Sequence, residues 1–399
     1  MKRNIILTLL LCLVSCLAVN AKTDFTVDGV EYTILTDREN CVEVAMGWDY
    51  NKLTSISVPA KVTNDGVEYT VVGIGKKAFT QTLGKTTEIT LPSTIEYFAD
   101  QAFRRASGLS TMNIPASLKT MGSQVFDGCT ALTSFTVAEG NTAYSAIDGV
   151  LFDKAKKKLL LYPIAKEGTI YTVPAGVEEI VSDAFIQNAS LFEISLDDEL
   201  TTLGNAAFKS LTALEYLDFG NAVVSDMGES VFYGCKKLAS LDLTKCMFTA
   251  VTKNLFTNCE SLKALYLPAT VTELSEDGFS GLKSLEELHM QAKDPAPFES
   301  VTRKFSDFIN NEVTTLYVPQ GSKAAYEEDE AYKDAFKAIV EEGTGTGVNG
   351  ITASEGDGTV ERVFDLTGKE VRQGNLGRGV YVVKSLVGGK TVTKKVSVK

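Results

Sequence analysis

The stretch NIPASLKTMGSQVFDGCTALTSFTV, from Asn113 to Val137, surrounds Phe126 with apolar residues at fixed distances. Leu118 stands eight before it, Met121 five before, Leu132 six after, Phe135 nine after and Val137 eleven after. The arrangement recurs around Phe79, Phe103, Phe185, Phe208, Phe232, Phe256 and Phe279, so that the eight phenylalanines follow one another at steps of 24, 23, 59, 23, 24, 24 and 23 residues. Only the first turn slips, with Lys85 at the sixth place. A period in the low twenties means one short strand and one return segment per coil, and no coil can bury its apolar face until a neighbour stacks on it. The apolar places nine and eleven after each Phe alternate with outward ones at eight and ten, which is strand periodicity. The spacing therefore predicts a solenoid whose strands pair into one parallel sheet, with the phenylalanines forming a continuous apolar column.

A second stretch, ALYLPATVTELSEDGFSGLKSLEELHM from Ala264 to Met290, repeats the pattern. Both stretches resemble the BspA-type leucine-rich repeat family of bacterial cell-surface proteins, in its form I-x-x-x-A-F-x-x-C-x-x-L-x-x-(I/L)-x-(I/L)-P. The resemblance covers about residues 24 to 340. It implies a mainly β fold with short helical segments, a leucine-rich-repeat solenoid carrying its parallel sheet on the concave face, and adhesion to host or neighbouring-cell surface proteins.

Residues 1–21 read as an export signal: Lys2 and Arg3, an apolar run from Ile5 to Val14, then Val19-Asn20-Ala21 as a small-residue cleavage site. The run is too short to span a bilayer. Leu13-Val14-Ser15-Cys16 admits a second reading, a lipoprotein signal that leaves a lipidated Cys16. Beyond residue 21 the chain carries 37 basic against 51 acidic residues, a net charge of −14, which argues against a nucleic-acid partner. From Val360 onward nine Lys and Arg face three Asp and Glu, so the tail is +6 and the rest −20, the asymmetry of a separate module. Past the signal the cysteines are Cys41, Cys129, Cys235, Cys246 and Cys259. Their odd number argues against a disulfide framework, and Cys129, Cys235 and Cys259, each three after a repeat Phe, read as buried thiols in the column.

Residues 22–70 form an N-terminal β cap, with FTVDGVEYTIL and VTNDGVEYTVVGIG each turning at Asp-Gly in hairpin fashion. Trp48, the only tryptophan, reads as packing within this cap. The solenoid runs over 71–290 with an enlarged turn at 138–171, in which strands near 150–152 and 159–162 flank a basic turn at 154–158. That turn is an ornamented repeat, or else Lys156, Lys157 and Lys158 form a partner contact. A C-terminal cap at 291–342 holds a strand at 314–318 and a helix at about 322–341 with an apolar stripe of Tyr332, Phe336, Ile339 and Val340. A glycine-rich linker at 343–349 leads to 350–399, whose alternating short strands predict a small β-sandwich. This tail resembles the C-terminal sorting domain of the type IX secretion system through Val363-Phe364-Asp365-Leu366-Thr367-Gly368-Lys369, Gly379-Val380-Tyr381-Val382-Val383 and Lys394-Lys395-Val396. The resemblance implies passage across the outer membrane and removal of the domain on a surface anchor, which would be the chain's link to a membrane.

Catalysis finds little support. The single histidine, His289, lies on an outward strand place, and the neighbouring coil offers Ala264 and Tyr266 there rather than a nucleophile. No paired His or Cys spacing suggests a metal, and no cofactor motif is present. The expectation is a non-enzymatic protein, secreted or on the outer cell surface, binding protein partners through the sheet face. The contact area is Tyr216, Asp218, Asp242, Tyr266, Glu287 and His289, where aromatics and acids gather. Two rivals stand beside it: a glycan-binding accessory protein, with Tyr216 and Tyr266 stacking on sugars, and a structural surface component.

Overall fold

Each coil lays down two parallel ladders rather than the one expected. The first is built from strands of three or four residues whose second residue faces the core, such as Glu193–Ser195, Tyr216–Asp218, Ala264–Leu267 and Glu287–Met290. The second uses two-residue strands upstream of each plug, among them Tyr97–Phe98, Thr120–Met121, Glu179–Ile180, Thr202–Leu203 and Asp226–Met227. Two residues per coil are too few to show alternation, so sequence periodicity missed this ladder.

The computed structural model describes residues 23–185, 187–299 and 303–342, together with the backbone of Gly358–Phe364, Glu370–Val371, Gly379–Val387 and Lys390–Val398. The export signal at 1–21 and the linker at 343–349 lie outside the described residues. Two units are present, one ending at Glu341 and one beginning at Glu342. In the second, the four described strands form one antiparallel sheet in the order Glu370–Val371, Gly358–Phe364, Gly379–Val387, Lys390–Val398. The two packed layers that a sandwich requires are not among the described elements.

Between the ladders sit the plugs. Phe185, Phe208, Phe232, Phe256 and Phe279 are fully buried, with successive ring centroids 5.3, 6.1, 5.9 and 5.9 Å apart. The segment carrying each ring is not helical. It is flanked by left-handed residues two before and two after the Phe, for example Ala206 (φ 56°) and Ser210 (φ 61°) around Phe208. This alternation aims successive N–H groups at the next coil, so Ala206, Phe208 and Ser210 donate to the carbonyls of Glu229, Val231 and Tyr233 at 2.8, 3.1 and 2.8 Å. The plug segment is thus a third hydrogen-bonded flank, which satisfies backbone that would otherwise be buried and unpaired.

At the first turn, the slip is a one-residue shift. Ile89, ten after Phe79, is the buried strand residue, and Thr86 fills the leucine place, donating to the carbonyls of Tyr50 and Leu53 at 3.2 and 2.9 Å. The two Asp-Gly hairpins of the cap form with both turn residues at positive φ, Asp28 and Gly29 at 49° and 78°, Asp65 and Gly66 at 50° and 78°. Trp48, expected to pack within the cap, instead stands 67% exposed.

The column is not continuous. The enlarged turn folds as Tyr144–Ile147, Val150–Asp153 and Lys158–Leu161, antiparallel to one another, and the last joins the second ladder beside Glu179–Ile180. Val150–Asp153 is buried on both faces: Leu151 packs into the core of the N-terminal coils, while Val150 and Phe152 pack into that of the C-terminal coils. A wall one strand thick therefore divides the apolar interior in two. Gly149 permits the turn, since its φ is 78° and a Cβ there would lie 2.8 Å from the Ser134 Cβ.

The repeat does not stop at Met290. Thr315–Val318 pairs in parallel with Glu287–Met290, and Ala338–Glu341 pairs in parallel with Thr315–Val318, so two further strands extend the first ladder. Phe305 continues the ring file 5.0 Å from Phe279, and Tyr332 follows 4.9 Å from Phe305. The helix expected over 322–341 is confined to Lys323–Glu328. Tyr332 is held as a plug because its hydroxyl donates to the Ala296 carbonyl at 2.8 Å, and Ile339 pairs with Leu316 on the ladder.

Candidate functional site

Outward places on the first ladder are mostly Ser, Thr and Asn in the N-terminal coils and change character near the C-terminal end. Tyr266, His289 and Tyr317 occupy matched positions on three neighbouring strands, with Asp242 beside Tyr266. Strand spacing places their rings in a file: Tyr266 and His289 have centroids 4.0 Å apart at 19°, His289 and Tyr317 4.4 Å apart at 5°. The histidine is enclosed by the two phenols, with only 7% of its surface exposed. Its Nε2 lies 3.3 Å from a Glu287 carboxylate oxygen two residues back on the same strand.

Four of the six expected contact residues, Asp242, Tyr266, Glu287 and His289, therefore share one continuous five-stranded stretch of the first ladder. Tyr216 and Asp218 belong to a separate three-stranded stretch of that ladder, Ile170–Thr172, Glu193–Ser195 and Tyr216–Asp218, and no strand pairing joins it to Ser240–Asp242 among the described residues. Tyr216 packs edge-on against Phe192 at 5.0 Å. Tyr317 was missed. Its strand was legible, as Leu316 and Val318 alternate with it, but its place in the ladder was hidden because the coil that leads to it runs 28 residues from His289 rather than 23 or 24.

The acids also have local work. Asp218 Oδ1 accepts the Gly220 N–H at 2.9 Å, and Asp242 Oδ1 accepts the Thr244 N–H and hydroxyl at 3.0 and 2.7 Å, each closing the turn that leaves its strand. Of Lys156, Lys157 and Lys158, offered as a partner contact, the last two are engaged within the body. Lys157 reaches Glu178 at 2.9 Å and Glu199 at 3.4 Å, and Lys158 reaches Glu179 at 2.5 Å.

Elsewhere the reactive groups are subdued. Cys129, Cys235 and Cys259 donate their thiols to the carbonyls of Phe103, Phe208 and Phe232 at 3.1, 3.2 and 3.1 Å. Burial pushes Cys129 and Cys235 up to about 12, so neither carries a thiolate at neutral pH. A groove lined by Arg38, Cys41, Thr94, Glu96 and Lys119 holds two cations, but Glu96 takes both, at 3.0 and 3.1 Å. Those hydrogen bonds, Arg38 first, hold the Glu96 carboxyl below its ordinary range. No group of three or more His, Cys, Asp or Glu is arranged to hold a metal among the described residues.

The profile of the BspA type Leucine rich repeat region matches residues 48–154 and 169–294 in six copies, more than half of the chain. A search of curated proteins finds no match. Among solved structures, the pneumococcal vaccine antigen PcpA is similar at 21% identity over 80% of this chain and 98% of that one, with a TM-score of 0.51. A leucine-rich repeat protein from Bacteroides ovatus is 23% identical over 80% of this chain and 76% of that one, with a TM-score of 0.46. The fold is shared with the first of these, and the repeats fit the family profile over most of the solenoid. The chain belongs to the BspA-type leucine-rich repeat family.

Proposed function

We propose that the chain is a non-enzymatic, adhesin-like protein, secreted or held at the outer cell surface, that binds a protein partner through the first ladder. The carrying observation is the ring file of Tyr266, His289 and Tyr317 near the C-terminal end of that ladder. Aromatic residues fixed by their neighbours offer contact area without a further loss of side-chain entropy on binding, which is why they dominate interface energetics. Asp242 and Glu287 border the file, and Tyr216 and Asp218 stand on the separate three-stranded stretch of the same ladder. Likeness to a vaccine antigen and the export-type N-terminus support an exposed location.

The glycan reading is less well supported. Sugars stack on open ring faces, whereas Tyr266 has one face against His289 and Tyr216 meets the edge of Phe192. A glycan array set beside a panel of host-matrix proteins tests both. Binding to a matrix protein that is lost in a Tyr266→Ala, Tyr317→Ala double variant supports the proposal. Unchanged binding refutes the patch, glycan binding favours the rival, and no binding in either assay favours a structural surface component.

A further inference from the structure

The first ladder has a charge pattern unlike the rest of the molecule. Its outward places are the first and third residues of each strand, from Ser55 and Ser57 to Ala338 and Val340. Not one of them is Lys or Arg, in a chain that holds 39. Acids do occur there: Glu88, Glu193, Asp218, Asp242 and Glu287. Basic residues begin one place before the strands, where Lys263 is matched by Glu286 at 2.9 Å. The body that presents this face is itself −20 before the basic tail.

We infer that the partner presents an extended, arginine-bearing cationic segment to the ladder around Tyr266, His289 and Tyr317. The inference rests on the protein-binding reading of this face and names the chemistry of the partner. Three features converge on arginine. A guanidinium is planar and packs against aromatic rings, so it suits the half-buried phenols of Tyr266 and Tyr317 that flank the enclosed His289. Its fork of donors matches carboxylates, and Asp242 and Glu287 lie at outward places beside the rings on the same ladder. An outward surface without cations sets no like charge against an incoming arginine, and an acidic body speeds its approach. A neutral or acidic segment would gain none of these.

The test uses the full chain and a short synthetic peptide of alternating Arg and Gly, with Glu-Gly and Ser-Gly peptides as comparisons, followed by titration calorimetry at low and physiological salt. The Arg-Gly peptide is expected to bind and the other two not to. An Asp242→Asn, Glu287→Gln variant is expected to weaken it by about tenfold or more, the scale of losing desolvated charge pairs. A control variant, Glu139→Gln with Glu167→Gln, removes the same charge from exposed positions off the ladder and is expected to leave affinity within about twofold, since distant surface charges are screened. Equal loss in both variants, equal binding of the three peptides, or no binding of the Arg-Gly peptide would overturn the inference. If a matrix protein still binds in a manner that needs Tyr266 and Tyr317 while the peptide fails, the protein-binding reading stands and the cationic partner falls.

Discussion

Tyr162 stacks on Phe185 with ring centroids 5.0 Å apart and planes 19° from parallel, and it lies one 23-residue step upstream. It is the plug of the coil at which the phenylalanine count skips. Tyr162→Ala should therefore cost about 3 to 5 kcal/mol, as should Phe208→Ala, because each leaves a ring-sized cavity between coils. Tyr162→Phe keeps the ring and should cost under about 1 kcal/mol. Urea denaturation of the three variants checks this, and a small effect of Tyr162→Ala would remove it from the column.

Left-handed backbone beside the plugs makes a second, opposite pair of effects. Gly234 and Ser210 hold the same place in neighbouring coils, at φ 72° and 61°. A Cβ on Gly234 would meet nothing closer than the Ser210 hydroxyl at 3.5 Å, so Gly234→Ala is limited by φ alone and should destabilise by about 1 kcal/mol. Ser210→Gly should relieve a similar strain, less the greater chain entropy of glycine when unfolded, for a net gain of up to about 0.5 kcal/mol. Thermal melts of both decide whether the two signs are opposite.

Stability should fall at alkaline pH. Burial pushes the thiols of Cys129 and Cys235 up to about 12 and that of Cys246 up to about 11, against an ordinary 9.0, and raises the Tyr32 and Tyr162 phenols to about 12 from 10.0. A raised folded-state pKa in an acid means that the unfolded chain loses its proton first. The stabilising contribution is therefore whole below about pH 8 and is lost as pH rises from about 9 toward 12. The urea midpoint measured across this window should decline steadily, and a flat profile would contradict burial of these groups.

Trp48 supplies a simple optical check. As the only tryptophan and 67% exposed, it should emit as a solvated indole in the native protein and be quenched by iodide as readily as in urea. Protection from iodide in the native state would return it to the interior of the cap.

The main apolar period was legible because every coil repeats it: Phe208, Leu214, Leu217 and their equivalents need no structure to be seen. Part of what was not legible shares a cause, the replacement of one side chain by another of equal packing value. Tyr162 and Tyr332 stand in for phenylalanine, and Thr86 stands in for leucine because two carbonyls satisfy its hydroxyl. At 322–341 the residues Tyr332, Phe336 and Ile339 fit a helical stripe by spacing, yet Tyr332 and Phe336 turn toward Phe305 while Ile339 enters a strand. Periodicity over so short a segment does not separate the two. In the candidate site, Tyr266 and His289 could be aligned from the repeat, and Tyr317 required the ladder to be seen crossing a longer coil.

An experimental density map of the body tests the stacked-coil account most directly. The account predicts one file of rings from Tyr162 through Phe185, Phe208, Phe232, Phe256, Phe279 and Phe305 to Tyr332, at the 5 to 6 Å spacing seen here, with Ala338–Glu341 hydrogen-bonded as a strand to Thr315–Val318. Rings divided among unrelated hydrophobic centres, or a continuous helix over 322–341, would contradict it.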